Sequence, residues 1–173
     1  ITTTYNTQRL KESVTDPNTG TSRTFYDAYG RTLATQDSRG TFTVFQYDAL
    51  GRTSKRWTGV ASFDPPGPAA PADYETLTET TYDTAPGFGL GKPASVTFTH
   101  KDGAKNRTVL ESYAYDALGR PATTTVVLSG QVAFNGSYTS STTYQPSAAP
   151  GYGRTATVTD PGGFTRASVY NNL

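Results

Sequence analysis

The chain of 173 residues has no cysteine, no methionine, one histidine (His100) and one tryptophan (Trp57). Without cysteine there is no disulfide framework, no thiolate-bound zinc and no thiol nucleophile. A lone histidine leaves no imidazole cluster for a zinc or haem centre, so no metal and no cofactor is expected. No apolar run exceeds three residues, far short of a membrane span or a signal-peptide core. Charged residues make up only 17%, and the formal net charge of +1 argues against a nucleic-acid surface. Hydrophobic residues, at 34%, fall below the globular average. Beginning at Ile1 with no methionine anywhere, the chain is expected to be a piece of something longer.

Threonine fills the space these residues leave: there are 32, beside 12 Tyr, 17 Gly and 11 Pro. Thr and Tyr favour strands while Gly and Pro punctuate turns, so the composition already points to β structure. Within it lies a repeat. Tyr26-Asp27-Ala28-Tyr29-Gly30-Arg31, Tyr47-Asp48-Ala49-Leu50-Gly51-Arg52 and Tyr115-Asp116-Ala117-Leu118-Gly119-Arg120 are nearly identical. Degenerate copies open at Tyr5, with Arg9 taken as the motif arginine, and at Tyr82-Asp83, which reaches its basic residue at Gly91-Lys92. Tyr144 does the same through Gly153-Arg154, and Tyr170 opens a truncated seventh copy. The leading tyrosines are spaced 21, 21, 35, 33, 29 and 26 residues apart, so 21 is the basic period.

A second signal lies six or seven residues after the basic residue. Asp16-Pro17-Asn18-Thr19-Gly20, Asp37-Ser38-Arg39-Gly40 and Asp160-Pro161-Gly162-Gly163 each read as a tight turn. Lys101-Asp102-Gly103 and Asn135-Gly136 take that part in the longer units. Each unit is therefore turn, strand, turn, strand, with antiparallel neighbours. The expected fold is all-β: antiparallel hairpin repeats over residues 1–173 forming a curved open strip. Roughly twelve strands at about 4.8 Å each would make it about 55 Å wide. A Pro-rich loop, expected to be extended and mobile, is inserted at about 58–81, and a smaller one at 84–92.

Leading tyrosines on alternate strands lie about 9.6 Å apart, beyond direct ring contact. Side chains of the intervening strand are expected to fill each gap, with Leu33, Val44, Val96, Val127 and Val158 as candidates. The motif arginine is expected to pair with the Asp of its own or a neighbouring Tyr-Asp. The motif residues thus specify turns and register: Tyr26, Asp27, Gly30, Arg31; Tyr47, Asp48, Gly51, Arg52; Tyr82, Asp83, Gly91, Lys92; Tyr115, Asp116, Gly119, Arg120; Gly153 and Arg154.

This motif, repeated about every 21 residues with an Asp-led turn between copies, resembles the RHS/YD-repeat family. That family includes bacterial RHS polymorphic toxins, the C component of insecticidal Tc toxins, and the animal teneurins. The resemblance implies a long β-strip that spirals into a hollow shell, which in the toxins encloses a C-terminal toxin. The implied partners are the remainder of that shell and its cargo, and the implied location is secreted or cell-surface, in a bacterial source. The family's self-cleaving aspartates have no counterpart segment here, and the Tyr144 and Tyr170 copies lack the following Asp.

Little chemistry is left over. Of ten Asp, only Asp64 and Asp73 lie outside repeat motifs and hairpin turns, and both flank the Pro-rich loop, a poor support for a catalytic carboxylate pair. Glu12, Glu75, Glu79 and Glu111 fall on expected strands as solvated residues. His100 ends a strand, no Gly-x-Ser-x-Gly elbow exists, and the Asp turns lack the calcium β-roll register. Lys101, Lys105 and Arg107 form a basic cluster too small for phosphate recognition. No enzyme activity is expected. Trp57, Tyr74 and Tyr152, near inserted loops, are a candidate carbohydrate platform, against the plainer reading that they cover a sheet face. Two functions follow: a wall segment of a shell, with free strand edges open to self-association, or an adhesion or carbohydrate-binding module.

Overall fold

The computed structural model describes residues 1–64, 70–103, 105–130 and 135–171, without the side chains of Asp102 and Lys105. The middle of the Pro-rich loop, the end of the Tyr170 copy, and the Asp102 and Lys105 side chains lie outside the described residues. Thirteen strands follow in chain order: β1 (Thr2–Tyr5), β2 (Lys11–Asp16), β3 (Gly20–Tyr26), β4 (Thr32–Gln36), β5 (Phe42–Tyr47), β6 (Thr53–Val60) and β7 (Thr76–Tyr82), then β8 (Pro93–Asp102), β9 (Lys105–Tyr115), β10 (Pro121–Ser129), β11 (Gly136–Tyr144), β12 (Thr155–Thr159) and β13 (Thr165–Ala167). They form an open sheet in sequential order from β1 to β13, without helix among the described residues. The all-β antiparallel fold is as the turn signals require. Two compact units divide it: Ile1–Glu79 with Phe98–Asn106, and Thr80–Thr97 with Arg107–Leu173.

The two turn signals in the sequence prove to be one structure. In Asp27–Arg31 the Asp27 N–H donates to the Arg31 carbonyl, the Gly30 N–H returns to the Asp27 carbonyl, and Asp27 Oδ1 accepts from the Tyr29 and Arg31 N–H groups. Asp37–Thr41 and Asp160–Phe164 repeat all four bonds. Five residues with Asp first and Gly fourth close every such turn. The glycine takes φ near +80°, a left-handed geometry that side chains resist.

After each motif turn the outgoing strand carries one extra residue. Phe25 pairs with Ala34 but Tyr26 with Thr32, leaving Leu33 bulged. Glu12, Ser54, Ala122 and Ala156 are bulged at the equivalent places. A bulge sharpens local twist and recurs here beside each of these tyrosines.

The first unit owns an apolar core. Register sets Phe25, Ala34, Val44, Trp57 and Leu77 directly opposite one another across β3 to β7. Ala34, Phe42, Val44, Trp57 and Val60 are buried, with Trp57 3% and Val60 1% exposed. A single sheet has no second layer to cover such a row. The inserted segment supplies one: Phe63 and Tyr74 pack on the core, and the Phe42 and Phe63 rings stand 6.1 Å apart. β6 and β7 extend into the interval expected to be loop at 58–81, so the connection is 61–75. Its return is pinned by Glu75 N–H to the Thr58 carbonyl at 2.9 Å and Lys101 N–H to the Glu75 carbonyl at 2.8 Å.

The second unit has no comparable apolar row among its described residues. Across its strands, hydroxyls face hydroxyls instead: Thr125–Thr139 at 2.9 Å, Thr143–Thr157 at 2.7 Å and Thr159–Thr165 at 2.8 Å. The threonine excess of the composition thus becomes cross-strand hydrogen bonds.

Candidate functional site

The recurring feature is a lock built from the motif residues, with one half in each turn. Asp27 is held by two backbone N–H groups through Oδ1, and its Oδ2 receives Arg31 Nε at 2.7 Å. Asp48 and Arg52 repeat this at 2.7 Å, and Asp116 and Arg120 at 2.6 Å. Each arginine therefore pairs with the Asp of its own unit, one of the two arrangements left open by the sequence. Because the fifth turn residue folds back on the first, the guanidinium is fixed and its flat face is left available.

The other half comes from the next unit. The Arg31 guanidinium carbon lies 4.7 Å from the Tyr47 ring centre and Arg120 lies 4.0 Å from Tyr144. Lys92 stands 5.3 Å from Tyr115 and Arg154 stands 5.2 Å from Tyr170. The tyrosine hydroxyl then donates back to the carbonyl just after the basic residue: Tyr47 to Thr32 at 2.7 Å, Tyr115 to Pro93 at 2.9 Å, Tyr144 to Pro121 at 2.7 Å and Tyr170 to Thr155 at 3.0 Å. Tyr26 reaches Lys11 the same way at 2.8 Å. Every lock combines a cation–π contact and a hydrogen bond across one repeat.

Two sequence expectations change as a result. The gap between successive tyrosines is filled by the basic residue of the preceding turn, not by Leu33, Val44, Val96, Val127 or Val158. Leu33 is the bulged residue and Val44 lies in the core. Arg9 is not the motif arginine of the first copy. It sits at φ +62° in the glycine position, and Leu10 occupies the arginine position, its N–H bonded to Asn6 Oδ1 at 2.9 Å. The aligned spacing was the missed signal: five residues, not four, separate Tyr26 from Arg31.

Degenerate copies keep the backbone and change the side chains. Asp83 closes an enlarged turn, its N–H on the Lys92 carbonyl at 3.0 Å and its Oδ1 accepting Gly91 N–H at 2.7 Å. Gln145 stands where the Asp would be, yet its N–H still meets the Arg154 carbonyl at 2.9 Å, and Gly153 N–H returns to the Gln145 carbonyl. Loss of the Asp therefore removes the carboxylate, not the lock.

Burial pushes the Asp27, Asp48 and Asp116 carboxyls up, but the arginine backbone N–H, the guanidinium and the turn N–H outweigh it and hold all three below the ordinary value. For Tyr47, burial and the nearby Asp27 charge raise the phenol, against a lowering by Arg31. Burial raises Tyr115 as well. The pairs thus remain charged and the tyrosines neutral through the physiological range.

The candidate carbohydrate residues do not form a platform. Trp57 is buried in the core and offers no face to a sugar. Tyr74 packs on the same core, with Lys101 Nζ 3.8 Å from its ring centre. Tyr152 is exposed and belongs to the second unit. His100, Asp64 and Asp73 are exposed. Among the described residues no three His, Asp or Glu side chains gather as a metal site, and no buried side-chain polar atom lacks a partner. Of the four Glu, Glu79 pairs with Lys55 at 2.7 Å.

No protein-family model matches the chain, and no curated protein matches it. Among solved structures it is similar to a chain in the crystal structure of TcdB2-TccC3-TEV, at 14% identity and a TM-score of 0.25, over 85% of this chain and 10% of that one. A chain of TcdB2-TccC3-Cdc42 is similar at 14% identity and a TM-score of 0.24, over 88% and 9%. The chain spans about a tenth of the length of the chains it matches.

Proposed function

We propose that the chain is a stretch of wall from an RHS/YD-repeat shell that encloses and carries a C-terminal toxin or effector. The repeat lock is the observation that carries this reading. The motif's tyrosine, aspartate, glycine and arginine are spent on joining one unit to the next, so the most regular chemistry in the sequence is directed at building more sheet. The role is structural, not enzymatic. A wall acts sterically: it excludes proteases from its cargo and releases the cargo when it opens or is cut. Export from a bacterial cell fits that task. The adhesion or carbohydrate reading loses its platform with the burial of Trp57.

The test is limited proteolysis of the full-length parent, following its C-terminal region by mass spectrometry. Under this reading that region resists digestion until the repeat sheet is cut or denatured. Immediate digestion of the C-terminal region while the repeats persist would sink the enclosure role.

A further inference from the structure

The motif turns all lie along one edge of the sheet, and they carry exposed apolar side chains that the turns do not need. Tyr29 and Leu50 occupy the same position in successive turns of the first unit. In the second unit Leu118 holds that position, joined by Phe88, Leu90 and Tyr152 from the enlarged turns. All six are between 58% and 85% exposed. Position three contributes only its backbone N–H to the turn, as in Tyr29 to Asp27, Leu50 to Asp48 and Leu118 to Asp116.

The opposite edge supplies the control. Its turns have identical hydrogen bonds, yet position three is Arg39 in one and Gly162 in another. The fold therefore does not demand an apolar residue there, and exposing one costs favourable burial that a partner would recover. The rim is also nearly neutral, since Asp27, Asp48 and Asp116 are each paired with their own arginine. Two such rims approach without charge repulsion. The apolar positions recur on alternate strands, about 9.6 Å apart at the usual strand spacing. A partner that meets several of them at once must carry the same period, and a second copy of this chain does.

We propose that this rim is the surface by which a second copy of the chain docks, motif turns against motif turns. The contact is isologous, so it closes as a dimer, whereas pairing of strand edges would extend without limit. The proposal goes beyond the enclosure role and does not depend on it.

Sedimentation equilibrium of the 173-residue chain, from about 1 µM to about 1 mM, reads it directly. The expected species is a monomer–dimer equilibrium. Leu50→Asp with Leu118→Asp should raise its dissociation constant at least about tenfold, and Phe164→Asp on the opposite edge should change it less than about twofold. Trp57 emission and circular dichroism check that each variant folds, with Leu50→Ser and Leu118→Ser as the milder pair. A monomer throughout overturns the proposal. So does association unchanged by the double variant, or an open-ended series of oligomers, either of which assigns association to the free strand edges.

Discussion

Coupling between Arg31 and Tyr47 tests the lock itself. The guanidinium carbon sits 4.7 Å from the ring centre, and the arginine side chain is 36% exposed. A partly solvated cation–π contact at that range is worth about 0.5–1 kcal/mol. Leucine is the replacement of choice at position 31, because Leu10 already fills the equivalent place in the first copy. Arg31→Leu also breaks the Asp27 pair, but that loss is common to both arms of a double-mutant cycle and cancels. Combining Arg31→Leu with Tyr47→Leu should therefore give a coupling of about 0.5–1 kcal/mol. Repeating the cycle with Tyr47→Phe should give a coupling near zero, since the ring stays, while Tyr47→Phe alone costs about 1 kcal/mol for the hydroxyl bond to Thr32. Urea unfolding followed by emission of Trp57, the sole tryptophan and buried in the same unit, gives each free energy. Additive Arg31→Leu and Tyr47→Leu effects, within about 0.2 kcal/mol, would refute the lock as a coupled contact.

Glycine positions test the turn geometry in both directions. Arg9→Gly, relieving a side chain at φ +62°, should stabilise the protein by about 1 kcal/mol, and Gly51→Ala, at φ +80°, should destabilise it by a similar amount in urea unfolding. Gly87→Ala should be far worse, because its Cβ would lie 1.7 Å from the Tyr115 carbonyl oxygen; loss of second-unit structure by hydrogen exchange is the readout. Trp57→Ala should cost about 3–5 kcal/mol, measured by circular dichroism during urea unfolding. Asp27, Asp48 and Asp116 titrate lower in the folded protein than unfolded. Protons therefore bind the unfolded chain first, so the stability from these turns is complete above the unfolded value near 4 and is lost as pH falls through the folded values below it. Urea midpoints between pH 5 and pH 2 should show that loss, and the triple Asp→Asn variant should flatten it.

The architecture was legible because turn chemistry is local. Asp first and Gly fourth dictate one backbone, and the sequence states them at nearly every hairpin. What spans two repeats was harder to read. Arg31 meets its own Asp27 four residues away but its tyrosine sixteen residues away, and no spacing rule says which ring a fixed guanidinium will cover. The bulges at Leu33 and Ser54 were hidden for a similar reason. Period-two alternation is too weak in threonine-rich strands to reveal a one-residue slip. Arg9 misled because a basic residue near a tyrosine looked like the motif, although backbone conformation, not charge, had placed it. Burial of Trp57 needed knowledge of the other face: the inserted segment read as a mobile loop, while its ends carry Phe63 and Tyr74 onto the core.

These two halves of the chain solve the same problem differently. An isolated sheet exposes both faces, so its stability must come from its edges, from its cross-strand pairs or from an added layer. The lock works at an edge and needs only a turn, a cation and a ring. It survives replacement of Asp by Gln145, of Arg by Lys92, and insertion within the turn. Hydroxyl pairs such as Thr143–Thr157 support strands without any apolar face. A core appears where the 61–75 segment covers one. The repeat can thus be extended unit by unit without every unit having to find a hydrophobic partner, which is the property a long wall requires. Covered apolar patches can then be placed wherever an insertion supplies their lid.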